Sequence, residues 1–227
     1  NEKFVSTCLD KYELMKTLSS HNILVPKTRL ASNKFGDISF PLIVKPRTGR
    51  GSRGLGILNN KEELHSFIIN STYKSEELII QEYINGLEFT VSVVLWRDGE
   101  IQAVVPKEVI CKRGITKLAV TRRSKRIEQL CFEIQEKLQA DGPFNLQLII
   151  DKSTGIPYPI EINPRFSTTI TLTIAAGIDE LIGLTIQALD GKESYDFGNW
   201  KEGVVLLRQT QDQFIGENKF NQKKKRF

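Results

Sequence analysis

The chain has 227 residues, 40% of them hydrophobic, which is enough for one large core or two smaller lobes. Its 32 Lys and Arg residues against 27 Asp and Glu leave a net charge of +5, spread over separate clusters rather than one basic stripe. Three scattered cysteines and two histidines argue against a disulfide framework and a zinc site. Since no apolar run approaches the ~20 residues of a membrane span, we expect a cytoplasmic protein with reduced thiols and no membrane partner.

The first half of the chain alternates short strands with helices. Asp10 is a candidate N-cap for a helix that ends at residues 19–22, with Glu13 at the reach-back position of a capping box. Asn59 or Asn60 is the candidate cap of a second helix over residues 61–69. The predicted strands of this half cover residues 28–31, 40–45, 55–58 and 78–81.

The second half is organised mainly as antiparallel hairpins. Residues 87–96 alternate between apolar and polar side chains, turn at Asp98-Gly99 and continue in a strand over residues 101–110. The remaining predicted elements are a strand at 117–121, a helix at 126–139, a hairpin of 144–151 with 158–163, helices at 168–176 and 180–189, and a strand at 203–209. This order predicts an α+β fold rather than a regular βαβ array.

A glycine-rich loop follows the strand that ends at Lys45. Residues 49–54 fit the pattern G-x-G-x-x-G, but a dinucleotide-binding fold would start a helix directly from the loop, and here a strand comes next. Strand, glycine loop and strand form a flap whose amides can converge on phosphate oxygens. The alternative is a mobile surface hairpin. Lys45, together with Arg50 and Arg53, favours the phosphate site.

The second candidate site is the hairpin that contains Glu161 and Asn163. On a strand these two side chains project to one face, and Ile162 projects to the other. If the hairpin turns near Thr154, Gln147 falls almost opposite Glu161 on the partner strand. One carboxylate and two amide oxygens on one face suit a hard divalent ion such as Mg²⁺. The alternative is a polar strand edge that faces solvent.

The segment over residues 78–88 runs from an apolar strand through a turn into a strand that opens with Glu88. A backbone edge there could hydrogen-bond a planar base, and Glu88 could accept from ribose hydroxyls. Taken alone, however, the segment is an ordinary strand–turn–strand.

Together these segments resemble the ATP-grasp superfamily, especially the branch of the carbamoyl-phosphate synthetase large chain and biotin carboxylase. The motifs that carry the resemblance are Asp10-Lys11, 43–46, 49–56, 81–88, 145–147 and 161–165. It implies an α+β fold of two lobes whose antiparallel sheets clasp the nucleotide. The chain would divide into a helical lead-in (1–24), a small lobe with the glycine-rich loop (25–86), a large lobe with the metal site (87–211) and a basic polar tail (212–227). The family places an N-terminal α/β domain before the first motif, and we expect it to lie outside this sequence.

The resemblance also implies a role for individual residues. Lys11 and Lys45 would hold phosphate oxygens of ATP, and the loop with Gly51, Ser52 and Gly54 would close over the phosphates. The adenine and ribose site would be formed by Gln81, Glu82, Tyr83, Ile84 and Glu88, with adenine meeting the backbone of Glu82 and Ile84. The metal site, for two Mg²⁺ ions or alternatively Mn²⁺, would be formed by Gln147, Glu161 and Asn163. The catalytic residues would be Arg165 and Lys107, with Lys107 at a γ-phosphate position.

The function that this resemblance implies is an ATP-dependent carboxylate ligase. Such an enzyme joins a small-molecule carboxylate to an amine or a thiol through an acyl phosphate and releases ADP, and a homodimer is the common assembly of this branch. One alternative is a regulatory module that binds nucleotide with the same fold but without turnover. A nucleic-acid-binding protein is the remoter alternative, because the basic clusters lack interleaved aromatic residues.

Overall fold

The computed structural model describes residues 1–33, 36–49, 51, 53–190, 196–209, 214, 216 and 217. Ser52 of the predicted phosphate loop, its neighbour Arg50 and most of the predicted tail over 212–227 lie outside the described residues. None of the helices in the described ranges is both long and apolar enough to cross a membrane.

Runs of strands with helices between them follow in the order expected of an α+β protein. Within the described residues the helices are α1 (Glu2–Leu9), α2 (Lys11–Ser20), α3 (Lys61–Ile69), α4 (Lys125–Leu138), α5 (Ile170–Ala175) and α6 (Glu180–Asp190), with a 3₁₀ turn at Ser75–Glu77. The strands are β1 (Thr28–Leu30), β2 (Leu42–Pro46), β3 (Gly56–Leu58), β4 (Leu78–Glu82), β5 (Gly86–Leu95), β6 (Ile101–Arg113), β7 (Ile115–Thr121), β8 (Phe144–Asp151), β9 (Pro157–Asn163) and β10 (Val205–Leu207).

The strands form two antiparallel sheets, which confirms the predicted fold class. The small sheet has the order β1-β4-β2-β3, and the large sheet has the order β10-β7-β6-β5-β8-β9. The small sheet packs one face against α3, where Leu42 and Val44 alternate inward from β2. The two sheets are joined by residues 83–85, between the end of β4 and the start of β5.

The central strand β5 is buried on both faces. Phe89 and Val91 face the main core, which also contains apolar residues of α1, α2 and α4. Val94 and Trp96 pack on the opposite side of the sheet with Ile178. Burial on both faces is therefore what holds the large sheet in the middle of the molecule.

Gly86 marks the start of this strand. A Cβ atom added at that position would lie 2.1 Å from the carbonyl oxygen of Ile150 on β8. The first residue of β5 can therefore approach its neighbour only as glycine.

Helix α2 connects the two sheets. Its N-cap is Asp10, as predicted, and Asp10 Oδ1 accepts from the amides of Tyr12 and Glu13. Glu13 does not complete a capping box but lies 3.8 Å from Arg47, whose guanidinium also binds Asp10 at 2.6 Å. The apolar face of α2 packs in the core of the large sheet. Its first turn is attached to the end of β2, because the Lys11 amide donates to the Arg47 carbonyl at 2.9 Å.

Several element boundaries differ from the predicted ones. Helix α1 was not predicted; it is capped by Asn1 and is held by Phe4, whose ring centroid lies 5.6 Å from that of Phe144. Strand β6 continues three residues beyond its predicted end to Arg113, and its last part is irregular. Helix α3, by contrast, has the predicted bounds, and its cap is Asn60, one of the two predicted candidates.

We expect Asp10→Ala to lower the free energy of unfolding by about 2 kcal/mol, from a lost N-cap and a lost ion pair. Asn60→Ala is the matched control, since it removes a cap without an ion pair and should cost about 1 kcal/mol. Urea unfolding at neutral pH measures both.

The difference between the stability losses of Asp10→Ala and Asn60→Ala should depend on pH. Partial burial acts to raise the pKa of Asp10, but hydrogen bonds from Arg47 and the helix amides outweigh it and hold the pKa below its ordinary value. A lowered pKa contributes stability above the unfolded value of ~4, and that stability is lost as the pH falls through the folded pKa. An Asp10→Ala penalty no larger than that of Asn60→Ala would contradict the ion-pair contribution.

Candidate active site

A cleft opens between the two sheets. Its main chamber has a volume of about 280 Å³ and adjoins a second chamber of about 80 Å³ beside the glycine-rich loop. The charged side chains that line the two chambers are mostly cationic: Lys11, Lys45, Arg53, Lys112 and Arg165, against Glu88 and Glu161. This charge balance favours an anionic ligand.

The hairpin of β8 and β9 carries the predicted metal ligands. Gln147 pairs directly opposite Glu161, in the register predicted from the position of the turn, and both line the cleft. Asn163 lies two residues further along β9, opposite Asn145. One face of a single hairpin therefore presents a carboxylate and amide oxygens, the donor types that hard divalent ions prefer.

The amide of Asn163 is incompletely satisfied. Its Oδ1 accepts from Arg165 Nη2 at 3.1 Å, whereas its buried Nδ2 has no partner among the described residues. An N–H group cannot bind a metal ion, so the unpartnered Nδ2 indicates an acceptor oxygen of a ligand at this position and not the ion itself. Within the described ranges, no group of three or more His, Cys, Asp and Glu side chains could hold a metal by itself. This donor set fits Mg²⁺, which is usually held by one or two carboxylates together with substrate phosphates.

Lys45 lies across the cleft from this hairpin, on β2. Only 8% of it is exposed. Burial lowers the pKa of Lys45 to about 8; the charge of Glu161 acts to raise it, and the charges of Lys11 and Lys112 lower it further. An ammonium group that is removed from water among other cations is less stable than a solvated lysine, and an anionic ligand would relieve that cost.

The glycine-rich loop lies next to Lys11, whose Nζ donates to the carbonyl oxygen of Gly49 at 3.1 Å. Gly51 and Gly54 have φ angles of +72° and +69°, the left-handed region that favours glycine. A Cβ atom at Gly54 would also lie 3.0 Å from the Tyr73 ring. The backbone of the loop therefore needs glycine at the positions predicted to approach phosphate.

The predicted adenine segment forms the connection between the sheets. Gln81 is a structural residue: it is buried, and its Nε2 donates to Thr28 Oγ1 at 2.9 Å. The side chain of Glu82 accepts from the backbone amide of Lys27, just before β1, at 3.1 Å. Tyr83 and Ile84 follow in the connecting segment, where Tyr83 is partly exposed and Ile84 is buried. A base at this edge would meet backbone rather than the Gln81 side chain.

Lys107, on β6, lines neither chamber of the cleft. It is 0% exposed, and its Nζ donates to Ser92 Oγ and Thr173 Oγ1, both at 2.8 Å. Burial lowers the pKa of Lys107 to about 7, while the nearby charge of Glu180 acts to raise it. Its hydrogen bonds are directed into this buried polar cluster and not into the cleft, and its γ-phosphate role stays a prediction. Its side chain connects α5 to the large sheet.

Two further residues line the main chamber and were not predicted from the sequence. Lys112, at the end of β6, lies 2.6 Å from Glu88 Oε1. Thr90 lines the main chamber and donates to Asn145 Oδ1 at 2.7 Å. The alternation of β5 could have identified Thr90, because it lies on the same face as Glu88. No local pattern marks Lys112, since β6 shifts register immediately before it.

Comparison with known proteins agrees with the family resemblance of the sequence motifs. A family described as the ATP-grasp domain matches residues 8–169. D-alanine–D-alanine ligase of Petrotoga mobilis is 27% identical over 206 residues, which are 80% of this chain and 68% of that protein. The carbamoyl phosphate synthase large chain of Pyrococcus furiosus is 30% identical over 168 residues, 68% of this chain but 15% of that protein.

The fold is also found among solved structures. Biotin carboxylase of Campylobacter jejuni superposes with a TM-score of 0.71 at 17% identity. That superposition covers 85% of this chain and 48% of the carboxylase chain, so this chain spans about half of that enzyme.

Proposed function

This chain belongs to the ATP-grasp domain family, and from that premise we propose that it is an ATP-dependent ligase that activates a carboxylate as an acyl phosphate. The observation that carries the proposal is the placement of Gln147 and Glu161 directly opposite each other on one hairpin, facing a cleft that also contains Lys45. Oxygen ligands for a hard divalent ion lie on one side of this cleft and a buried cation lies on the other, an arrangement that suits a nucleoside triphosphate.

The small-lobe residues would bind the nucleotide. Lys11 and Lys45 would contact phosphate oxygens by charge-assisted hydrogen bonds, and the amides around Gly51 and Gly54 would cover the phosphates. The backbone of residues 82–84 would meet the adenine edge. Glu88 would accept from the ribose hydroxyls at the start of β5.

Glu161, Gln147 and Asn163 would hold Mg²⁺, two ions in our proposal, with Mn²⁺ as a substitute. When bound, the metal neutralises charge on the phosphates. Arg165 lines the cleft and is oriented by Asn163 and by the Phe166 carbonyl, which accepts from Nη1 at 2.8 Å. It would donate to the acceptor carboxylate and stabilise negative charge as that group reacts.

The reaction would proceed in two steps. A carboxylate oxygen attacks the γ-phosphorus, the bond to the β,γ-bridging oxygen breaks, and ADP leaves with an acyl phosphate formed. An amine or a thiol then attacks the acyl carbon, loses its proton and displaces inorganic phosphate. The Petrotoga relative is named for joining two amino acids, which favours an amino-acid carboxylate and an amine here.

Calorimetric titration of ATP into the chain, with Mg²⁺ and then with EDTA, tests the nucleotide site. We expect binding in Mg²⁺ and weak binding in EDTA, because the metal shields the phosphates. ADP release is then measured with a panel of amino acids. Nucleotide binding without ADP release for any carboxylate would favour the regulatory module, and no binding under either condition would contradict the proposed site.

A further inference from the structure

Lys112 occupies a position in the cleft that the proposed function does not use. It lies near the end of β6, after two register shifts at Val109/Cys111 and Cys111/Lys112. A register shift changes the direction in which a strand's side chains project. As a result, the Lys112 ammonium group lies 2.6 Å from Glu88 Oε1 and 3.4 Å from Gln147 Oε1.

These two partners belong to different parts of the proposed site. Glu88 is the proposed ribose acceptor and Gln147 is a proposed metal ligand. One internal cation therefore binds oxygens that the nucleotide and the metal would each need. Lys112 also acts on Lys45 across the cleft, since its charge lowers the pKa of Lys45.

We infer that Lys112 is an internal counterion that keeps the divalent ion out of the cleft until the nucleotide is present. It satisfies Glu88 and Gln147 while the cleft is empty and repels a free metal ion by its positive charge. The negative phosphates remove that repulsion, so metal and nucleotide bind together rather than metal first. This inference rests on the proposed function.

The size of the effect follows from Coulomb's law. A unit charge and a divalent ion about 5 Å apart in a largely aqueous environment repel enough to weaken binding about tenfold. Both side chains of the Lys112–Glu88 pair are mostly buried, with 29% and 31% exposed, so water screens this charge only in part and tenfold is the smallest effect expected.

The test is a titration of the protein with Mn²⁺ in the absence of nucleotide, in which electron paramagnetic resonance measures the free ion. Lys112→Met should bind Mn²⁺ about tenfold more tightly than the unmodified chain, and Lys112→Arg, which keeps the charge, should not. Lys125→Met is the matched control: it removes an equal charge at the start of α4, on the opposite face of the large sheet. Adding Glu161→Ala to Lys112→Met should abolish the gain.

A second reading comes from the same titrations repeated with ATP. The factor by which ATP strengthens Mn²⁺ binding should be smaller in Lys112→Met than in the unmodified chain, because part of that coupling comes from relief of the Lys112 repulsion. Retained binding of Mn²⁺ with ATP by the variant shows that it is folded.

The inference is overturned if Lys112→Met and the unmodified chain give superimposable Mn²⁺ curves, or if Lys112→Arg gains as much as Lys112→Met. If the unmodified chain binds ATP with Mg²⁺ in the same experiments, the proposed function stands although this inference fails. Failure of the unmodified chain to bind ATP with Mg²⁺ would instead contradict the proposed function itself.

Discussion

Glu161→Ala is expected to lower the rate of ADP release about a thousandfold, while the protein stays folded. Glu161 is the carboxylate of the proposed metal site, and a metal contributes several kcal/mol to the stabilisation of phosphoryl transfer. Its side chain is half-buried at the cleft rather than part of a core cluster, so its removal leaves the packing of the large sheet unchanged. ADP release with saturating ATP measures the effect.

Glu133→Ala is the control for this variant, because Glu133 is an exposed carboxylate on α4 and lines neither chamber of the cleft. Raising the Mg²⁺ concentration should restore part of the lost rate in Glu161→Ala if the defect is one of metal binding. A Glu161→Ala enzyme with an unchanged rate at low Mg²⁺ would show that the metal is held elsewhere.

Lys45→Met is expected to change stability and nucleotide binding in opposite directions. The lost charge-assisted hydrogen bond should weaken ATP binding about 30-fold. The free protein should become more stable by about 3 kcal/mol at neutral pH, because the pKa of Lys45 lies at about 8 rather than 10.5 and methionine avoids the cost of burying the charge.

The stability gained by Lys45→Met should depend on pH. With a lowered pKa, the folded chain binds fewer protons than the unfolded chain between pH about 8 and 10.5. The stability of the unmodified protein therefore rises with pH across this window, and the advantage of Lys45→Met is full below it and shrinks within it. ATP binding to the unmodified chain should weaken above pH about 8, as Lys45 loses its proton.

Urea unfolding and ATP titration over this pH range measure both effects. Lys152→Met, at an exposed turn position, is the matched control and should change neither. A destabilised Lys45→Met protein would mean that the lysine is held by favourable contacts in the empty cleft and is not a cation awaiting a ligand.

The parts of the structure that could be predicted are those fixed by neighbours in sequence. The caps Asp10 and Asn60 follow from local hydrogen bonding. The Gln147–Glu161 pairing follows from the turn position and the two-residue period of a strand. The resemblance to the ATP-grasp family added the order of these motifs and is confirmed.

The parts that could not be predicted depend on residues far apart in the chain. Helix α1 has a local cap in Asn1, but its place in the fold is fixed by the contact of Phe4 with Phe144, which lies far away in the chain. The burial of Lys107 depends on Thr173, which lies 66 residues away. Lys112 is directed at Glu88 by irregular strand geometry that no sequence pattern signals.

Helix α2 is attached to the small sheet at Arg47 and packs in the core of the large sheet, while residues 83–85 join the sheets elsewhere. A third connection is made by residues 21–27, which lead from α2 into β1. The glycine-rich loop begins beside Arg47, and the carbonyl oxygen of Gly49 accepts from Lys11 in the first turn of α2. The position of the loop relative to the large sheet is therefore set through α2, and not through the strands of the small sheet alone.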